Sequence, residues 1–214
     1  MIDLHTHTLF SDGALLPTEL VRRALVKGYT AIAITDHADI SNLDFIIPRI
    51  IEACNVINSK WNIKAIPGVE LTHVPPETIA DLTNEARLLG ARLVLVHGET
   101  IVEPVIPGTN RAAIEAGVDI LAHPGLIDKK DIQLAKKKGI YLEITTRSGH
   151  SYTNGYVASE AMKIGAKLII NTDTHQPGDL VSDDTAERIL LGAGAPQKMI
   201  KDIFINSKNI IKKI

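Results

Sequence analysis

Five times along this chain a glycine is followed by a short apolar run and then by a polar residue able to hold a metal or a substrate. The units run from Gly28 to Asp36-His37, Gly90 to His97, Gly117 to His123, Gly139 to Arg147 and Gly165 to Asp173-Thr174-His175. A glycine just past a helix ends it at low steric cost. The apolar run that follows has the look of a parallel strand buried on both faces. Each unit is therefore expected to be a helix, a strand and a functional residue where the strand leaves the sheet. The N-terminal Met1-Ile2-Asp3-Leu4-His5-Thr6-His7 and the segment Ile66-Pro67-Gly68-Val69-Glu70 add two more, so that seven strands converge on one rim.

The expected strands are roughly 2–5, 31–35, 64–69, 92–96, 118–122, 140–144 and 167–171. Helices are expected near 17–27, 44–59, 77–89, 109–116, 129–138, 155–164 and 183–192, with Pro17 and Asp44 marking two of the starts. Strict alternation calls for a parallel sheet. An open Rossmann-type sheet would satisfy it, but such a sheet gathers its ligand at one switch point. Here nearly every strand offers a functional residue at its C-terminal end, which a closed ring brings together. The expectation is α/β: an irregular TIM-like barrel of seven parallel strands, one short of the usual eight. Residues 1–214 read as one domain, with a basic, apolar-faced helical extension at about 197–214.

Composition narrows the options. A net charge of −2 gives no general attraction to nucleic acid or anionic lipid. The single cysteine, Cys54, excludes an intrachain disulfide and sits in an apolar helical stretch, as a core residue would. Met1 runs straight into the first strand, leaving no room for a signal peptide, and no apolar run reaches the ~20 residues of a membrane span. A soluble, cytoplasmic protein is expected.

Of eight histidines, six (His5, His7, His37, His97, His123 and His175) fall at or just past an expected strand end. His5 and His7 are one residue apart, which along a strand puts both on one face, and Asp173 and His175 repeat the spacing on the last strand. Closure of the ring makes those two strands neighbours. Asp12, Glu70 and Asp173 add carboxylates. Imidazole with carboxylate is the ligand set of zinc, manganese or iron rather than calcium. Nine candidate ligands are too many for one ion, so two or three divalent ions sharing carboxylate bridges are expected.

The ordered motifs His5-Thr-His7, Ser11-Asp12-Gly13, Thr35-Asp36-His37, Gly68-Val-Glu70, Val96-His97-Gly98, Ala122-His123-Pro124 and Asp173-Thr-His175 resemble those of the polymerase-and-histidinol-phosphatase (PHP) family, over residues 2 to about 176. The resemblance implies a distorted (β/α)7 barrel with a trinuclear metal site. One metal would take His5, His7, Glu70 and Asp173. A second would take Glu70 as bridge, with His97 and His123, and a third Asp12, His37 and His175. Some family members use a histidine slightly further along than Asp12, and Gly13-Ala14-Leu15 offers none.

Such a cluster lowers the pKa of bound water from ~15.7 to about 7 and neutralises phosphate oxygens during in-line displacement. No P-loop, G-x-S-x-G elbow, Rossmann fingerprint or deaminase P-C-x-x-C competes. The expected reaction is hydrolysis of a small-molecule phosphate monoester, histidinol phosphate by family suggestion, with metal-bound hydroxide as nucleophile. Glu70 and Asp173 carry the centre. Arg147 is expected to grip phosphate, against the alternative of pairing with a nearby carboxylate. His150 is a candidate general acid. Asp36 and Glu99 are expected to orient ligand histidines, Arg111 to lie on a helix surface, and His73 to face substrate or cap its loop. Two other readings stand beside this one. The first is a nucleotide or oligonucleotide phosphoesterase, which the acidic balance and lack of a basic-aromatic strip disfavour. The second is a non-catalytic RNA-binding barrel, because residues 113–124 resemble the RNase P protein subunit. A binding-only barrel has no use for nine inward polar ligands.

Overall fold

The computed structural model describes residues 1–214. Eight strands form: β1 (Ile2–Asp3), β2 (Ala31–Ile34), β3 (His37–Ala38), β4 (Lys64–Leu71), β5 (Leu93–His97), β6 (Ile120–Ala122), β7 (Tyr141–Thr145) and β8 (Lys167–Asn171). Between and after them lie α1 (Pro17–Val26), α2 (Leu43–Lys60), α3 (Ile79–Leu88), α4 (Thr109–Ala116), α5 (Lys129–Lys138), α6 (Asn154–Ile164), α7 (Asp183–Gly192) and α8 (Gln197–Lys213). The sheet order is β1-β2-β4-β5-β6-β7-β8, parallel throughout. β3 is not an extra barrel strand. It continues β2 along β4, with Ile34 opposite Pro67 and His37 opposite Glu70, so the register carries through the interruption at Thr35-Asp36. The barrel therefore has the seven strand positions expected, one of them broken.

The glycine punctuation acts as anticipated. Gly28, Gly90, Gly117, Gly139 and Gly165 all have positive φ, and the last three are the C-caps of α4, α5 and α6. Gly68 serves a different purpose. A Cβ there would stand 2.9 Å from both the Leu93 carbonyl oxygen and Thr35 Cγ2, so a side chain would push apart the strands that carry Glu70 and His97.

The ring closes between β1 and the stretch after β8, and side chains do much of the bonding. The Leu4 N–H donates to Asn171 Oδ1 (2.9 Å), and Asp3 accepts from the Thr172 N–H (3.1 Å) and hydroxyl (2.5 Å). A single main-chain bridge, Thr6 to Thr174, completes the seam, with the His7 N–H donating to the Thr174 carbonyl (2.8 Å). Short strands cannot supply a long ladder, so buried polar groups must find these partners.

The core has two compartments. The larger lies between the helices and the outside of the barrel. The smaller fills the barrel interior with Leu4, Ala33, Ile66, Leu93, Leu95, Ile120, Tyr141 and Ile169. Its ninth member, Ile210, comes from α8, which lies across the N-terminal end of the barrel. The opposite end is left for chemistry. Cys54 is in the larger core, where burial pushes its thiol up to about 12. No helix is long and apolar enough to cross a membrane.

Candidate metal centre

Where the strands end, imidazoles and carboxylates gather at the inward positions. His5 and His7 leave β1 on one face and are fully buried, and Asp173 and His175 follow β8. His5 Nε2 lies 3.2 Å from Glu70 Oε2 and 3.6 Å from Asp173 Oδ1. His7 Nε2 lies 3.1 Å from Asp173 Oδ1 and 3.6 Å from Glu70 Oε2. His123 Nε2 is 3.5 Å from Glu70 Oε1, so the two oxygens of Glu70 face different imidazoles. Close as they are, His5 Nε2, both nitrogens of His7, both oxygens of Glu70 and Asp173 Oδ1 make no hydrogen bond. Buried polar atoms are almost always partnered. Atoms about 3 Å apart that are mutually misaligned for hydrogen bonding are placed as ligands of a common ion are, with 2.0–2.2 Å metal bonds expected to nitrogen and oxygen. The residues fit a divalent metal cluster.

Further donors extend it. Asp12 Oδ1 reaches His175 Nε2 (3.1 Å) and His37 Nε2 (3.4 Å), and His7 joins that group. Asp12 thus lies beside His37 and His175, the residues the resemblance groups with it. His97 and His123 also lie close to His150; His123 faces Glu70, as the resemblance implies, while the carboxylate facing His97 Nε2 is Glu103 at 3.1 Å. Two ligand positions adopt backbone angles unusual for a side chain, His123 (φ 24°) and Asp173 (φ 53°). Such strain concentrates where function fixes geometry.

The charges are strongly coupled. Burial alone would keep His5 neutral, but Glu70, Glu143 and Asp173 outweigh it and raise its pKa well above the usual histidine range. Burial would likewise raise Glu70, yet His5 and His37 hold it well below the carboxylate range. Asp173 is pushed up to about 6 by burial, His5 pulling it down and Glu70 reinforcing the rise. His7 and His123 are lowered, first by burial and then by neighbouring imidazoles, which leaves them neutral as metal ligands must be.

One residue of consequence has no place in the expected set. Glu143 is buried in β7, and its Oε1 is 2.8 Å from His5 Nδ1 and accepts from Asn171 Nδ2 (2.8 Å). Its Oε2 accepts from the His123 N–H (3.0 Å). Glu143 therefore turns His5 so that Nε2 faces the centre, the orienting task expected of Asp36 and Glu99. Those two do something else. Asp36 accepts from the Thr8 N–H (2.6 Å), the Thr8 hydroxyl (2.7 Å) and the Ser11 hydroxyl (2.6 Å), bracing the loop that presents Asp12. Glu99 accepts from Gly108 and Asn110 N–H groups at the start of α4.

Arg147 is at the rim but engaged. Its Nη1 lies 2.7 Å from His175 Nδ1 and donates to the Asp173 carbonyl (3.2 Å), and Nε is 3.6 Å from Asp173 Oδ2. The pairing alternative describes this state of Arg147. His150 is buried, with Nδ1 against the Thr100 hydroxyl (2.9 Å) and its ring stacked 4.2 Å from His123. Arg111 pairs with Asp131 on the surface of α4 and α5, as expected of it. His73 faces Glu103, a second residue the sequence reading passed over.

Comparison with known proteins places these features. An uncharacterized protein of Methanocaldococcus jannaschii is 50% identical over 99% of both chains. A "Probable phosphatase" of Caldanaerobacter subterraneus subsp. tengcongensis is 28% identical, covering 94% of this chain and 86% of its own. The DNA polymerase/3'-5' exonuclease PolX of Bacillus subtilis is 26% identical, over 81% of this chain and 34% of its own. Among solved structures, Aspergillus niger ochratoxinase superposes with a TM-score of 0.65 at 15% identity, over 99% of this chain and 71% of that one. A Listeria monocytogenes protein provisionally named a histidinol phosphatase gives 0.60 at 14% identity, over 84% and 97%. Those two likenesses concern the fold, a TIM-like barrel. The PHP domain signature matches residues 3–163, about three quarters of the sequence, and together with the half-identical relative it establishes that this chain belongs to the PHP family.

Proposed function

We propose that this enzyme, a hydrolase, cleaves phosphate monoesters of small molecules with the help of two or three divalent ions held by His5, His7, Asp12, His37, Glu70, His97, His123, Asp173 and His175. The observation that carries the reading is the set of buried ligand atoms on His5, His7, Glu70 and Asp173 that lie within about 3–4 Å of one another and make no hydrogen bonds. The probable-phosphatase relative, aligned over most of both chains, supports the same reaction class. Manganese, zinc and iron all suit nitrogen and carboxylate donors. When bound, such ions supply hydroxide at neutral pH and neutralise phosphate oxygens.

The protein's own residues would do the rest. Glu70, whose Oε2 faces His5 and Oε1 faces His123, would be shared between neighbouring ions. Glu143 fixes the Nδ1 proton of His5 and keeps its Nε2 directed inward. Arg147 lies against Asp173 and His175. Arg147 Nη1 donates to His175 Nδ1 here; if His175 ligated an ion through Nε2 its proton would move to Nδ1, facing the Asp173 carbonyl at 2.9 Å, and the displaced guanidinium would be free to turn to substrate phosphate. His150, whose ring stacks on His123 and whose Nε2 faces Glu103 at 3.2 Å, would be the group that hands a proton to the leaving oxygen.

The test is phosphate release by manganese- or zinc-reconstituted protein across a panel of phosphomonoesters, histidinol phosphate and nucleotides among them. Wild type should turn over at least one class, and Asp173→Asn should lose about 100-fold or more in kcat, the scale of a lost electrostatic partner at a reacting centre. Preference for histidinol phosphate would assign the substrate. Full activity in Asp173→Asn would remove the assignment. Turnover confined to nucleotides or oligonucleotide ends would favour the reading that the PolX relative suggests.

A further inference from the structure

Two cavities flank the loop that leaves β7, and Thr146 lines both. The first, about 390 Å³, has Arg147, Thr172 and Asp179 in its walls. The Arg147 guanidinium touches Asp173 and His175, and Thr172 immediately precedes Asp173, so this cavity starts where the metal centre ends. The second, about 460 Å³, lies between Tyr152 and Asn154 on one side and Ile189 and Gly192 of α7 on the other. Each has the size of an ordinary small-molecule pocket.

The walls are held by the protein's own bonds. Asn154 clamps the end of β7, its Oδ1 accepting from the Thr145 N–H (3.2 Å) and its Nδ2 donating to the Thr145 carbonyl (2.8 Å). The short turn His150–Thr153 is tied back to the arginine, because the Ser151 N–H donates to the Arg147 carbonyl (3.1 Å). Tyr152 sits on that turn and is 72% exposed. A large aromatic ring left open at the side of a cavity offers its face to a flat ring. Charge adds a second selection. Arg147 and Asp179 are the charged groups in the walls of the two cavities. Asp179 Oδ2 accepts from the His175 N–H (2.9 Å) and the Gln176 N–H (2.7 Å), which fixes it in place. Once Arg147 grips the phosphate being cleaved, the walls keep a carboxylate alone. It repels a second phosphate and admits an uncharged or cationic alcohol.

We propose that the two cavities form one trench for the leaving group, with Tyr152 as its specificity residue. The substrate is then the monophosphate of an alcohol that carries a flat ring and no second anionic group. The inference rests on the phosphatase reading and names its substrate class. Metal-loaded wild type, Tyr152→Ala, Tyr152→Phe and Gly192→Leu are compared on 4-phenylbutyl phosphate, butyl phosphate and butane-1,4-diyl bisphosphate, whose leaving oxygens are chemically alike. A Cβ at Gly192 meets nothing within 4 Å and the backbone there is not left-handed, so leucine enters the trench without strain. In kcat/KM, wild type should prefer the phenyl ester to the butyl ester and use the bisphosphate least. Tyr152→Ala and Gly192→Leu should each cut the preference for the ring about 10-fold, the scale of one lost stacking contact, and Tyr152→Phe should keep it. A preference unchanged in both variants, or absent from wild type, would overturn the proposal and leave the phosphatase reading intact. Bisphosphate turnover as fast as that of the butyl ester would overturn the exclusion of a second anion. If no ester is hydrolysed, the phosphatase reading falls and calorimetry with 4-phenylbutanol decides the trench. Binding to wild type that weakens in Tyr152→Ala and Gly192→Leu would keep it, and no binding to wild type would remove it.

Discussion

At the scale of single residues, the most informative position is Glu143. A carboxylate in the middle of Ile140-Tyr-Leu-Glu-Ile-Thr is costly in a buried strand unless it is partnered, and that cost was the available signal. Its partners are His5 Nδ1, Asn171 Nδ2 and the His123 N–H. Replacing it by glutamine should weaken metal binding by about 10–100-fold, the usual penalty for losing the group that orients a ligand histidine. Competition with a fluorescent chelator would measure it, and unchanged affinity would mean that Glu143 matters to folding alone. Cys54 offers a pH prediction. Its thiol ionises near 12 rather than the ordinary 9.0, and thiolate is the reactive form, so modification at pH 8 should be slowed about 1,000-fold relative to the unfolded chain. Rapid labelling of the native protein would contradict its burial.

At the scale of elements, the repeated unit was legible because each part of it is local. A left-handed glycine, a β-rich apolar run and a polar terminator need no distant partner to be recognised, and all the expected helices and strands occur with ends shifted by at most a few residues. The interruption of the second strand was not legible, because β3 exists through its pairing with β4. The seam was not legible either. Asn171 looked like the polar end of an apolar run, yet it accepts from Leu4 and donates to Glu143. Asn171→Leu leaves the buried Leu4 N–H without a partner and takes from Glu143 Oε1 one of its two, with His5 Nδ1 remaining, and should cost about 1–3 kcal/mol of stability. Urea denaturation would read it, and a loss under 1 kcal/mol would show that the barrel closes without this bond. Likewise Ile210, sealed in the barrel interior from α8, should cost about 2–5 kcal/mol when cut to alanine. A surface-like value below ~0.5 kcal/mol would mean the C-terminal helix is an ornament on the barrel.

At the scale of the whole molecule, one end of the barrel is filled with hydrocarbon and closed by α8, while the other gathers the histidines and carboxylates of all its loops. Such a concentration of buried ionisable groups is expensive without ions to neutralise it. Binding then becomes folding free energy. Each ion present at 100 times its dissociation constant adds about 2.7 kcal/mol. At roughly 2–4 °C per kcal/mol for a chain of this size, one ion should raise the melting temperature by about 5–11 °C. Calorimetry of the chelated and metal-loaded protein would show the difference, and coincident melting would mean that the rim does not bind ions in the folded state.

The sequence by itself determined which residues could meet: period-two spacing fixed His5 with His7 and Asp173 with His175 on shared faces, and strand-end placement sent them to one rim. These are consequences of local geometry, which a single chain displays along its length. Tertiary structure alone decided who meets whom across the ring. It set Glu143 behind His5, left Asp36 to brace the Asp12 loop, tied Arg147 to Asp173, and swung Glu103 among His73, His97 and His150. Those contacts depend on strand stagger, loop path and the angle at which a ring closes. Such quantities accumulate over the whole barrel and leave no periodic trace in any one segment.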